Sequence, residues 1–167
     1  MIRMVEGLRW AREINRPNCI PIGKATRGPK AQGVRYERQV AFSIGDARNG
    51  VWFEFEDENG RGYCQVDLMW QHGGAVVVGE CKYTWTPDAM TKLLGLYVPV
   101  VRRAYNKHVV PLVICKVLTP ECRRLYVAGD LDEAVYWAAA GRPVVYHFLG
   151  TMAAKTSLRS RARVARR

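Results

Sequence analysis

Along residues 51–56 apolar and polar side chains alternate, with Val51, Phe53 and Phe55 on one side and Trp52, Glu54 and Glu56 on the other. A period of two marks a strand with one apolar face. Asn59-Gly60 then signals a tight hairpin. The returning strand, residues 63–70, is expected to carry Cys64, Val66, Leu68 and Trp70 on one face and Gln65, Asp67 and Met69 on the other. After Gln71-His72-Gly73-Gly74, residues 75–82 are apolar on both faces until Glu80 and Lys82, which predicts a central strand.

Before these strands, residues 15–33 are rich in Pro, Gly and basic side chains and read as irregular, and residues 34–43 read as a short helix. After them, Thr86-Pro87-Asp88 opens a helix with a capping residue, a proline in the first turn and an acid near the helix N-terminus. Its buried stripe is Met90, Leu93, Leu94, Tyr97, Val98 and Val101, with Pro99 kinking or restarting it. Residues 109–117 form another β-rich run, Asp130-x-x-Glu133 begins a helix ending near Gly141, and residues 144–149 make a last strand. The sum is an α/β fold: residues 1–156 form a single domain, a mixed central sheet of about five strands flanked by helices. Residues 157–167 form a mobile basic tail.

The charge balance changes the picture. The chain has 167 residues, with 26 Lys+Arg against 15 Asp+Glu, a formal net charge of +11. Such a surplus says nothing about fold but favours polyanions, because each cation set on a phosphate releases counterions. Five cysteines without a C-x-x-C pair give little support to a zinc or iron–sulfur site and suit reduced, packed thiols. The N-terminus lacks the apolar core of a signal peptide, and no apolar run approaches the ~20 residues that span a bilayer. A soluble cytoplasmic protein, with no membrane partner, is the expectation.

Candidate chemistry comes from the second hairpin. With Gly73 and Gly74 as its turn, Asp67 and Glu80 face each other across the strand pair, and Lys82 points the same way two residues on. The face they share otherwise carries Met69, Val76 and Val78, where charges are rare unless paired or bound to metal. Glu37 sits on the preceding helix on a face with Val40, Ala41 and Ile44. Hard carboxylate oxygens hold ions such as Mg²⁺, and an adjacent lysine can orient water or stabilise charge on phosphorus.

This arrangement resembles the PD-(D/E)XK nuclease superfamily over residues 33–117: a helix with Tyr36-Glu37-Arg38, a hairpin strand with Asp67, and Val78-Gly79-Glu80-Cys81-Lys82 as the E-x-K strand. The resemblance implies a restriction endonuclease-like α-β-β-β-α-β core. It makes Asp67 and Glu80 metal ligands, Lys82 the water-positioning base or electrophile, and Glu37 an outer acid at the metal. Val66 stands where the signature has proline, and Lys92 and Gly95 occupy the region where many members carry a glutamine.

The implied activity is a Mg²⁺-dependent DNA endonuclease, with Mn²⁺ substituting. A non-catalytic basic nucleic-acid-binding protein on the same fold, and an RNA-directed nuclease, are the competing readings, and a homodimer is left open. Lys24, Arg27, Lys30, Arg35, Arg38, Arg159, Arg161 and Arg163 are the expected nucleic-acid contacts. Glu54 is a candidate extra ligand, Trp85 a candidate stacking platform and His72 the histidine nearest the acids.

The tail generates a prediction of its own. Residues 157–167 hold five arginines and no acid, so their deletion lowers the formal charge from +11 to +6. In Ca²⁺, a salt titration of DNA binding should lose about 0.9 in log–log slope for each phosphate contact removed from duplex. Equal slopes for full-length and truncated protein would show that the tail never touches the nucleic acid.

Overall fold

The computed structural model describes residues 3–20, 27–72 and 74–117, with the backbone of 144–147. Six strands form one sheet in sequential order: β1 (Trp10–Ile14), β2 (Arg48–Asp57), β3 (Gly60–His72), β4 (Ala75–Thr84), β5 (Val109–Val117) and β6 (Val144–His147). β1 to β4 are antiparallel, while β4–β5 and β5–β6 are parallel, so the sheet is mixed. Helix α1 (Gly28–Ile44) precedes β2, and α2 (Pro87–Lys92) and α3 (Val98–Tyr105) connect β4 to β5. The stretch from α1 to β5 thus has the α-β-β-β-α-β order expected above.

Among the described residues, α2 and α3 cover one face of the sheet and α1 the other. On the α2–α3 side, Phe53, Phe55, Val66, Val78 and Val113 of the sheet pack with Trp85, Leu93, Tyr97 and Val101. Beneath α1, Tyr36 and Val40 meet Leu68, Val77, Cys81, Leu112 and Ile114. β4 is buried on both sides, as its continuous apolar run predicts. Cys64, Cys81 and Cys115 are buried thiols, whereas Cys19 is exposed.

Several elements differ from expectation. β1 escapes the apolar pattern because it is an edge strand tied down by charge: Arg12 forks onto Glu54 at 2.6 and 2.9 Å. α1 begins at Gly28 within the segment expected to be irregular, because Pro29 suits a first helical turn. The first turn consists of Glu58-Asn59, with Gly60 at φ 89° pairing with Asp57, so Asn59-Gly60 marks the hairpin one residue late. The helix expected at 130–141, Lys24 and the basic tail lie outside the described residues.

Between α2 and α3 the backbone widens into a π-helical turn, Leu93–Tyr97, where the Val98 N–H reaches back to the Leu93 carbonyl. This insertion rotates the stripe, so Leu96 is buried and Leu94 is exposed. Pro99 lacks an N–H, and the Gly95 carbonyl four residues earlier accepts from the Val5 N–H at 2.9 Å instead. The N-terminal segment continues along the hairpin tip, with Glu58 N–H on the Glu6 carbonyl and Arg9 N–H on the Glu56 carbonyl. Arg3 anchors it, 2.5 Å from the fully buried carboxylate of Asp57.

That anchor differs from the surface pair Arg9–Glu56, whose side chains are 65% and 32% exposed. Replacing Arg3 with Met strands a buried acid and should cost roughly 1–3 kcal/mol in urea unfolding. Arg9→Met should stay within about 0.5 kcal/mol of the wild type. Equal losses would remove the distinction.

Candidate active site

The site forms where two paired strands stop pairing. The β3–β4 ladder runs from His72–Ala75 to Leu68–Gly79 and ends one pair short of Asp67 and Glu80. There the Cys81 N–H donates to Asp67 Oδ2 at 2.9 Å, so a side chain takes the place of a ladder acceptor. On the other side of Asp67 the β2–β3 pairing lapses opposite Gly50, whose φ is 68°. Cys64 and Val66 pack under α2 and α3, Leu68 packs under α1, and Met69 is again under α2 and α3. Strict alternation, which sets Leu68 beside Val66, therefore breaks at Asp67. The slip brings the acid and Met69 to the side that already holds Val66.

Glu80 is fully buried, and its Oε1 lies 2.7 Å from Lys82 Nζ. Lys92, the last residue of α2, brings a second ammonium to within 3.1 Å of Glu80 Oε2 and 3.7 Å of Asp67 Oδ1. Its hydrogen bond goes to Oε1 at 3.4 Å, and the buried Oε2 is held by the charge of the same ammonium. Tyr97 donates to the Gln65 carbonyl, and its hydroxyl lies 3.1 Å from Asp67 Oδ1. Lys92 Nζ rests 4.6 Å from the centre of that tyrosine ring.

Burial, reinforced by the Glu80 charge, pushes the Asp67 carboxyl up to about 7. Glu37, half-buried on α1, is raised by burial despite a hydrogen bond from Asn49, and it feels Glu80, Lys92 and Lys82. For Lys82 burial works downward, but the charge and hydrogen bond of Glu80 outweigh it and hold the ammonium above its ordinary value. Asn49 also donates to the Asp67 carbonyl at 3.0 Å, tying the end of β2 to the site.

The structure brings Asp67, Glu80 and Lys82 together and sets Glu37 within their electrostatic reach. Glu54 does not join them: it is buried against Arg12, Arg61 and Tyr63. Trp85 is 2% exposed within the core, which leaves no face for stacking on a base. His72 is exposed at the end of the hairpin. Arg27, Lys30, Arg35 and Arg38 are exposed along α1 and its start, on the helix that carries Glu37. Arg159, Arg161 and Arg163 fall in the tail.

Lys92, Tyr97 and Asn49 escaped the sequence reading as site residues. The signal for Lys92 was its place on the helix after Lys82, where a glutamine was sought. The π-helical turn that aims Tyr97 has no periodic signature.

No family model and no curated protein matches the chain. In three dimensions it is similar to a repair endonuclease from Pyrococcus abyssi, with a TM-score of 0.39 and 15% identity. The match covers 75% of this chain and 49% of that one, so the chain spans about half of that protein's length.

The donor set suits one kind of cation. Among the described residues no three His, Cys, Asp or Glu side chains are grouped as a metal cage, so Glu37 does not close one with Asp67 and Glu80. The adjacent carboxylates of Asp67 and Glu80, which share the Lys92 ammonium, do fit a Mg²⁺-like ion, which is held by one or two carboxylates and otherwise by water. Among the described residues no helix is long and apolar enough to cross a membrane.

The raised Asp67 carboxyl has a signed consequence. Its folded value lies above its ordinary one, so the proton favours the fold, and stability is lost as pH climbs from about 4 to 7. Asp67→Asn, which keeps an acceptor for the Cys81 N–H, should stabilise the protein at pH 8 by on the order of a few kcal/mol. The gain should vanish at pH 4, and a pH-independent difference in unfolding midpoint would refute the account.

Proposed function

We propose that this protein is a metal-dependent phosphodiesterase that cuts DNA, and more narrowly an endonuclease. The observation that carries the reading is the end of the β3–β4 ladder, where Asp67 and the fully buried Glu80 share one ammonium, Lys92, with Lys82 beside Glu80. Two acids and two lysines clustered at a largely buried point form the kind of perturbed charge group that marks functional sites.

Asp67 and Glu80 would hold a divalent cation, with Glu37 acting on its outer side. Such an ion supplies an acidified water and neutralises charge building on phosphorus. Lys82 is fixed by strand register beside Glu80 and is 34% exposed, so its ammonium can turn a proton toward a water or a phosphate oxygen. Exposed Lys30, Arg35 and Arg38 on α1, with Arg27 just before it, would lie against the phosphate backbone, giving affinity without base readout. A charge of +11 supports a polyanionic substrate.

The competing reading is a basic nucleic-acid-binding protein without catalysis. It draws on the two lysines that already balance Asp67 and Glu80.

Supercoiled plasmid incubated with Mg²⁺ separates the two: nicking is expected, Mn²⁺ should substitute, and EDTA should abolish it. Asp67→Asn and Glu80→Gln should each remove cleavage while DNA binding persists. Lys82→Ala should lower turnover at saturating DNA roughly 10²–10³-fold with little change in affinity. Full activity in Asp67→Asn or Glu80→Gln would end the assignment, and parallel cleavage of RNA would broaden the substrate class.

A further inference from the structure

Lys92 is, among the described residues, the one ammonium within 4 Å of both site carboxylates, 3.7 Å from Asp67 and 3.1 Å from Glu80. It therefore stands where a cation shared by the two acids would stand. Lys82 contacts Glu80 alone, at 2.7 Å, and its strand position fixes it there. The Lys92 contacts are longer, its side chain is 29% exposed, and its flexible stem leaves from the end of α2, where the backbone widens into the π-helical turn.

Charge makes the shared position exclusive. In their ionised forms Glu37, Asp67, Glu80, Lys82 and Lys92 sum to −1. A divalent cation would bring that to +1 with two ammoniums alongside, a costly surplus around the fully buried Glu80 carboxylate. Departure of Lys92 restores neutrality and frees a cation beside the metal, within reach of an incoming phosphate.

We propose that Lys92 is a resident counter-ion of the Asp67–Glu80 pair, which yields its place to the divalent cation and passes to the phosphate of the substrate. The proposal rests on the nuclease reading and adds a regulation to that site: cation binding and substrate binding are coupled through one side chain. Coupling of this kind is reciprocal, so DNA and cation each tighten the other.

The test uses the full chain and Mn²⁺ alone, followed by electron paramagnetic resonance. Lys92→Met removes the competitor and should bind Mn²⁺ roughly tenfold or more tightly than the wild type. Lys92→Arg keeps the charge and should remain near the wild-type affinity. DNA affinity in Ca²⁺ should fall in Lys92→Met. A second measurement needs no variant: acylation of Lys92 by an amine-reactive ester, read by mass spectrometry, should be slow in EDTA and several-fold faster in Ca²⁺. Unchanged Mn²⁺ affinity in Lys92→Met, or labelling indifferent to Ca²⁺, would overturn the exchange while leaving the nuclease reading intact. Wild-type protein that binds no Mn²⁺, or binds it regardless of Glu80→Gln, would sink both.

Discussion

The site depends on a single electrostatic constraint: the carboxylate of Glu80 lies fully inside the protein. An isolated charge there is prohibitively costly, so the surroundings must supply compensation. They do so with one ammonium on the same strand, Lys82, and one from the following helix, Lys92. Asp67 is held against the same point by a backbone N–H from β4 and a tyrosine hydroxyl from the π-helical turn. Strand separation and helix widening are two halves of one solution: the first opens room for the acids, and the second delivers the groups that offset them.

Departures from regular structure elsewhere follow the same logic. Gly50, at positive φ, lets β2 lose its pairing opposite Asp67, so that the acid can turn to the α2–α3 side. Pro99 cannot donate to the Gly95 carbonyl four residues earlier, and the Val5 N–H of the N-terminal segment does. No side chain on Gly95 could coexist with this docking unmoved, because an added Cβ would sit 1.9 Å from the end of Met4. The segment that closes over the π-helical turn is thus attached through the feature that breaks the helix.

Much of this was legible in the chain. Hairpin arithmetic from Gly73-Gly74 set Asp67 opposite Glu80, and the β3–β4 register holds that alignment up to the adjacent pair. The central position of β4 followed from its apolar run. Face assignment failed at Asp67 because alternation assumes an unbroken ladder, and nothing in the letters around Gly50 announces the lapse. Lys92 was seen only as an absent glutamine, since its role requires knowing that α2 ends beside β4. β1 was invisible to a hydrophobic pattern because ion pairs with β2 hold it in place. Glu54 looked like a ligand for the same reason, an acid on a strand, until Arg12 and Arg61 accounted for it.

Asp67, Glu80, Lys82, Lys92 and Tyr97 all fall on one continuous stretch of chain, a hairpin followed directly by a helix. Closing such a loop costs little chain entropy, whereas the N-terminal segment must find the hairpin tip and Gly95 across a long separation. Local contacts tend to form early and distant ones late. The charged centre is therefore held by neighbours in sequence, whereas residues 3–9 clasp the core through contacts far apart along the chain.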